Sequence, residues 1–491
     1  MHPGLVLGII GGYFGLLILI SYLTSGKGDS KAFFTGNRQS PWYIVAFGMI
    51  GASLSGVTFI SVPGQVGALI SSSEPIYKAF SYFQLVLGYL LGYFVIANVL
   101  MPMYYRLNLI SIYSFLNQRF GIKAYKTGSI FFLLSQSMGA SLRLFLVVGV
   151  LQIAIFDAYN IPFVVTVMLT ILLIWAYTFK GGIKTIVWTD TLQTFFMLLA
   201  VGISIYYIAD KLDLSFGGFI ATIDDHPYSK IFIWDWQSSK YFFKQFFSGA
   251  FIAIVMTGLD QNMMQKNLTC KNIGEAKKNM YWFSFILVPA NFLFLSLGLL
   301  LYMYAAKMGI AIPERTDDLY PILALKHFSP FIGIVFLLGI IAAAFSSADS
   351  ALTSLTTAFC VDFLKLETLP EKEQKRKRLW VHVGFSVLVF LIIVGFRVIN
   401  NDSVITAVFV VAGYTYGPLL GMFAFGLFTK RVTKDNAIPY VAVIAPILSY
   451  LLSTYSEVLL GGYKFGFELL IVNGLITFIG LWGFSRKADS V

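Results

Sequence analysis

Gly48-Met49-Ile50-Gly51-Ala52-Ser53-Leu54-Ser55-Gly56-Val57-Thr58-Phe59-Ile60-Ser61-Val62-Pro63 occupies the middle of an apolar segment, 42–67, that is long enough to cross a bilayer. Glycine and serine at this depth weaken helix continuity. A hydrocarbon interior offers no water to a freed peptide group, so a break is tolerated only where protein or a watery cavity satisfies it. An unwound turn also exposes carbonyl oxygens, which are good ligands for Na⁺. A small-residue packing face accounts for the glycines. It accounts poorly for the hydroxyls of Ser53, Ser55, Thr58 and Ser61. The pattern predicts a broken membrane-spanning helix at a cation site.

The rest of the chain is of the same kind. Of 491 residues, 57% are hydrophobic and 12% charged, with a mean hydropathy of +0.77; a soluble protein carries about 25% charged residues. Gly and Pro breaks and charged clusters divide the chain into about thirteen helices, near 4–23, 42–67, 81–104, 127–156, 161–179, 187–209, 243–264, 280–306, 328–360, 379–398, 404–428, 437–455 and 466–484. The class is an all-α polytopic membrane protein with one membrane domain. The first segment, from Gly4, lacks a basic region before it and a small-residue cleavage site after it, and is read as a retained helix.

Lys and Arg fall in alternate loops: Lys27, Lys31 and Arg38; Arg106, Arg119 and Lys123; Lys180 and Lys184; Lys266, Lys271, Lys277 and Lys278; Lys372 to Arg378; Lys430, Arg431 and Lys434; Arg486 and Lys487. These loops are expected on the cytoplasmic side of the cell inner membrane. The N-terminus is then outside and the C-terminus inside, as an odd helix count requires. The net charge of +11 reflects this bias and no nucleic-acid partner. Glu371–Arg378 reads as a solvated cytoplasmic loop. Trp234 and Trp236 in the loop 210–240 suit an interfacial belt. Cys270 and Cys360 are expected as free thiols, and the four histidines form no metal pattern.

A second informative stretch is Ala342-Ala343-Ala344-Phe345-Ser346-Ser347-Ala348-Asp349-Ser350-Ala351-Leu352-Thr353-Ser354. Ser346, Asp349, Ser350 and Thr353 follow i, i+3, i+4, i+7 spacing and share one helix face. Hydroxyls and a carboxylate suit a hard cation. Back-bonding of Ser and Thr to their own helix would leave Asp349 unexplained, and a charge within a span faces protein or water. Asp190, at the start of the sixth span, is either a helix-cap carboxylate or a second cation or proton-linked group. Arg143, mid-span, is either a structural ion-pair residue or a guanidinium fork for an anionic solute. Asp260 ends the seventh span as an interfacial or gate residue.

Several motifs in this order resemble the sodium:solute symporter family, which includes sodium–glucose, sodium–proline, sodium–iodide and sodium–sialate transporters. They are Phe33-Phe34-Thr35-Gly36-Asn37-Arg38, Ser55-Gly56-Val57-Thr58-Phe59, Tyr113-Ser114-Phe115-Leu116-Asn117-Gln118-Arg119-Phe120, Gly181-Gly182-Ile183 with Trp188-Thr189-Asp190, Asp260 to Lys266, Ala344-Phe345-Ser346-Ser347, and Gly417-Pro418-Leu419-Leu420-Gly421 leading to Lys430-Arg431. The resemblance implies a leucine-transporter-like fold of two inverted five-helix repeats, 42–209 and 243–428, with one helix before (4–23) and two after (437–484). It implies sodium-coupled symport of a small organic solute into the cell by alternating access, with Na⁺ as the co-transported ion.

The resemblance also implies a principal sodium site. It uses the carbonyls of Gly51, Leu54 and Ala343 and the hydroxyls of Ser346 and Ser347. A possible second cation site comprises Asp190, Ser346, Asp349 and Ser350; Asp349 departs from the small or hydroxyl residue found in family members with such a site. Solute-contact candidates on the helices that hold solute in the family are Ser53, Ser55, Thr58, Gln84, Arg143, Asn291, Tyr414 and Tyr416, with Phe59 as a further aromatic. Sugar, sialic acid, another organic acid or a vitamin all fit. Proton coupling through Asp190 and Asp349 is the alternative. A solute sensor would carry a signalling domain, whereas the chain ends at Val491. No nucleophile–base pair, metal cluster or phosphate loop suggests an enzyme.

Overall fold

The computed structural model describes residues 3–24, 38–71, 76–109, 111–399 and 404–487. The motif residues Phe33 to Asn37 lie outside them. The main helices are α1 (Pro3–Thr24), α2 (Trp42–Ser53), α3 (Gly56–Gln65), α4 (Tyr82–Val95), α5 (Ile122–Leu151), α6 (Phe163–Lys211), α7 (Phe242–Ala253), α8 (Gln261–Asn267), α9 (Ile273–Lys307), α10 (Pro330–Asp362), α11 (Glu371–Ile399), α12 (Val404–Phe428), α13 (Ile438–Leu459) and α14 (Leu469–Gly483). Two-stranded ribbons, Leu69–Ser71 with Ile76–Tyr77 and Val432–Thr433 with Ser485–Arg486, close two of the loops.

Among the described residues, eight helices are long and apolar enough to span a bilayer, and two bent pairs raise this to ten. Three shorter apolar helices, Gly8–Ile20, Phe163–Trp175 and Leu469–Gly483, fall where the first, fifth and thirteenth spans were expected. The helical, polytopic class is therefore observed, while the figure of thirteen depends on counting these three. The expected boundary at Gly181-Gly182 is not a break in the backbone: α6 is one helical run of 49 residues, about 74 Å at 1.5 Å per residue.

The helices that build the centre meet through small residues. A Cβ placed on Gly88 of α4 would stand 1.9 Å from the Phe246 carbonyl oxygen, and one on Gly249 of α7 would stand 2.0 Å from the Leu85 carbonyl oxygen. Each glycine thus lets the backbone of one helix touch that of the other, the small-residue packing that membrane helices use in place of a hydrophobic driving force. α10 is buried along nearly its whole length, held between α5 and α6. That placement is what makes its Ser-rich stripe an interior surface.

Two loop readings change. Glu371–Arg378 is not a loop but the first turns of α11; most of it is exposed, and Lys375 pairs with Glu371 at 2.9 Å, one turn apart. Lys266 is not a solvated loop charge but is buried at the end of α8. Cys270 and Cys360 are both free and buried. Trp234 and Trp236 are exposed, as an interfacial belt requires.

Candidate functional site

The second span breaks where its glycines and serines predict. α2 ends at Ser53 and α3 begins at Gly56, with a bend of 51° between them. Leu54 (φ −82°, ψ 45°) and Ser55 (φ −50°, ψ 178°) are not helical. A helix end leaves its last carbonyls without intrahelical donors, so the turn containing Gly51 and Leu54 presents oxygens inside the protein. Gly51 is pressed on α6: a Cβ there would lie 2.1 Å from Thr194 Oγ1. At the start of α3, a Cβ on Gly56 would lie 3.9 Å from Ala344 Cα. The break therefore faces the segment of α10 that carries Ala343, Ser346 and Ser347, all buried. Ser347 Oγ donates to the Ala343 carbonyl at 3.3 Å.

Asp190, Ser346, Asp349 and Ser350 are likewise buried on the facing helices α6 and α10. Ser346 Oγ donates to Asp190 Oδ1 at 2.5 Å, and the Lys266 ammonium lies 2.6 Å from Asp190 Oδ2. Both Asp190 oxygens thus have protein partners. Asp349 Oδ1 accepts the Ser350 backbone N–H at 2.5 Å. Two carboxylates and one ammonium share this interior region.

Between the broken helix and α5, α7, α9 and α12 lies a central cavity. Ser53, Ser55, Thr58, Arg143 and Asn291 all line it, as does Asp260. Among the described residues, no hydrogen bond or ion pair holds the Arg143 guanidinium; Asp260 and Tyr416 are its electrostatic neighbours. Asp260 is itself engaged, accepting from the Met263 backbone N–H at 3.1 Å and from the Tyr416 hydroxyl. Among the described residues, Gln136 Nε2 and Asn291 Oδ1 are buried and have no hydrogen-bond partner. A guanidinium, an amide donor and an amide acceptor therefore remain to bind a polar solute.

Three solute candidates sit elsewhere. Gln84 ties the loop before α7: its amide donates to the Lys240 carbonyl at 3.0 Å and accepts from the Ile233 N–H at 3.2 Å. Tyr414 lines a separate cavity with Ser453. Tyr416 is buried against Asp260 rather than lining the central cavity. Phe59 packs among Phe294, Tyr320 and Phe336. Sequence reasoning missed a second broken span. The run Phe242–Gly258 bends by 70° into α8, and Asp260 caps the new helix. Gly258 followed by an Asp cap was the available signal. It also missed the Lys266 contact, which follows from that bend.

Two discontinuous spans, backbone oxygens facing hydroxyls, and a polar cavity beside them define a membrane transporter of solute and cation. The sodium:solute symporter family profile matches residues 33–442, and the chain belongs to that family. It is 25% identical over 461 residues to the sodium/sialic acid symporter of Aliivibrio fischeri, covering 89% of this chain and 85% of that protein. It is 25% identical over 457 residues to the sodium/glucose cotransporter of Vibrio parahaemolyticus, covering 87% and 80%. The fold matches the substrate-bound, outward-open structure of a Na⁺-coupled sialic acid symporter with a TM-score of 0.81 at 20% identity, over 98% of this chain and 99% of the other. The chain is thus a sodium-coupled symporter of a small organic solute, with Na⁺ as the co-transported ion, and not an enzyme.

Proposed function

We propose that the solute is a small organic anion whose carboxylate binds Arg143. The observation that carries this is a guanidinium lining the central cavity without a protein hydrogen-bond acceptor among the described residues. Guanidinium pairs with carboxylate through two parallel hydrogen bonds. Sialic acid, the solute named for two relatives, is such an anion. Ser53, Ser55, Thr58 and Asn291 complete the solute contacts.

Sodium binds first, at the carbonyls of Gly51, Leu54 and Ala343 and the hydroxyls of Ser346 and Ser347. It bridges the broken span to α10 and stabilises an outward-facing state. Solute binding, closure and inward opening then release both to the cytoplasm. Inside-negative potential favours sodium entry by about 2.3 kcal/mol per charge per 100 mV. A further cation near Asp349 and Ser350 would share Ser346 and Asp190 with Lys266. The arrangement in the membrane follows the basic loops, with the N-terminus outside and the C-terminus cytoplasmic, in a cell inner membrane. The repeats are 42–209 and 243–428, and the first and last two of thirteen spans flank them.

The test is thermal stabilisation of purified protein in NaCl or choline chloride, with N-acetylneuraminate, lactate, pantothenate and glucose. A carboxylate that stabilises only in sodium, and no longer does so in Arg143→Gln, supports the reading. Stabilisation by glucose alone, unaffected by Arg143→Gln, contradicts it.

A further inference from the structure

The interior region around Asp190 already holds a positive charge. Lys266 stands in the last turn of α8, which leaves the preceding helical run at an angle of 70°. The bend carries its side chain into the protein, where it is 1% exposed and its ammonium lies 2.6 Å from Asp190 Oδ2. The other oxygen, Oδ1, accepts from Ser346 Oγ at 2.5 Å. Ser346 is also one of the hydroxyls proposed for the principal sodium. A hydroxyl that donates its proton to a carboxylate keeps its lone pairs for a cation. The principal sodium, Ser346, Asp190 and the ammonium then form one line of contacts.

The surroundings suit a small hard cation. Ser350 is a further neighbour of Asp190. Tyr13 of α1 has Gln193, Asp349 and Asp190 as neighbours. The hydroxyls of Ser350 and Tyr13 and the amide of Gln193 are buried and have no hydrogen-bond partner among the described residues. Carboxylate, hydroxyl and amide oxygens are the ligands such an ion takes. A sodium on Asp190 would nevertheless meet the ammonium held by the same carboxylate. Two unit charges about 4 Å apart inside a protein repel enough to weaken binding about a thousandfold. The ammonium is tethered to the chain, so the free ion is the one excluded.

We propose that Lys266 is a built-in cation that fills the second cation position from within, so that a single sodium accompanies each solute. The proposal rests on the placement of the principal sodium between the broken span and α10. The ammonium supplies the charge that holds Asp190 and, through it, orients the Ser346 hydroxyl. Without that ammonium the same pocket, with Asp190, Asp349, Ser350 and Gln193, takes a second sodium. The number of coupled ions is thus set by one side chain.

The test counts the sodium ions bound at saturation, by equilibrium binding of radioactive sodium to the purified full chain. The wild-type protein is expected to bind one ion per chain and Lys266→Met two, with Lys266→Met/Asp190→Asn returning to one. Lys266→Arg, which keeps the charge, should bind one. NaCl, and not choline chloride, should raise the melting temperature of Lys266→Met towards that of the wild type, a recovery that a lost packing contact alone would not show. Two ions on the wild-type protein, or one on Lys266→Met, would overturn the proposal. Lys266→Ser gives the same readout if Lys266→Met does not fold. Ser347→Ala checks the principal site separately, because Ser347 bonds to the Ala343 carbonyl and leaves the Asp190 contacts in place. It should remove the wild-type ion. If it does not, the placement of the principal sodium fails, while the ion gained in Lys266→Met still decides the role of Lys266.

Discussion

The Lys266 ammonium lies 2.6 Å from Asp190 Oδ2, with the two side chains 1% and 0% exposed. The contact joins α8, beyond the bend in the seventh span, to the middle of α6. Ion pairs at this depth are sensitive to losing one partner, because the other is left charged and buried, at a cost of about 3–5 kcal/mol. Lys266→Met should therefore lower the melting temperature of the purified protein sharply. Lys266→Met with Asp190→Asn should recover most of the loss, since neither charge remains. A double variant no more stable than the single one would show that the pair itself is not what Lys266 supports.

Gly88 and Gly249 make reciprocal backbone contacts between α4 and α7. Alanine at either position meets a carbonyl oxygen rather than a movable side chain, so the helices themselves must separate. Overpacking of this kind costs about 1–3 kcal/mol. Gly88→Ala and Gly249→Ala should each lower thermal stability in detergent. Gly139→Ala, whose Cβ meets nothing within 4 Å, is the neutral control in the same melting experiment.

Arg143→Lys keeps the charge in the central cavity but removes the fork. Hydrogen bonds to charged groups contribute about 1.5–3 kcal/mol, so solute affinity should fall roughly tenfold to a hundredfold. Stabilisation by sodium alone should be unchanged, because Arg143 takes no part in the proposed sodium site. Isothermal titration with the solute, and thermal shift with sodium alone, separate the two effects.

Burial, then the repulsion of Lys78, pushes the Lys240 ammonium down to about 7. Lys78, Glu468 and the Phe467 ring face it. Its charge is present below that value and lost above it. Thermal stability should therefore rise as pH is raised above about 7, and Lys240→Gln should flatten that rise. Burying charged Lys240 costs stability in full below about pH 7. The cost is relieved as pH rises towards about 10.4, the unfolded value.

Local chemistry made the 51° break legible, because Gly51, Ser53, Ser55 and Gly56 crowd one short segment. The bend at Gly258–Asp260 was read through, because Phe246 to Leu259 is largely apolar and a glycine followed by an aspartate also suits the end of a straight span. Lys266 looked like a loop charge for the same reason; only the bend turns it inward. The contacts of Gln84 could not be read locally either, because its partners Lys240 and Ile233 are about 150 residues away along the chain. One distinction was within reach. Tyr414 and Tyr416 are two positions apart on a helix and point to different sides, and they do reach different surroundings.

Sodium-gradient-driven solute uptake into proteoliposomes, comparing the wild-type chain with Ser346→Ala/Ser347→Ala, tests the proposed sodium site most directly. The site predicts uptake that rises with external sodium in the wild-type protein and loses that sodium dependence in the double variant, with both proteins inserted to equal extent. Wild-type sodium dependence in the double variant would contradict the placement of sodium between the broken span and α10.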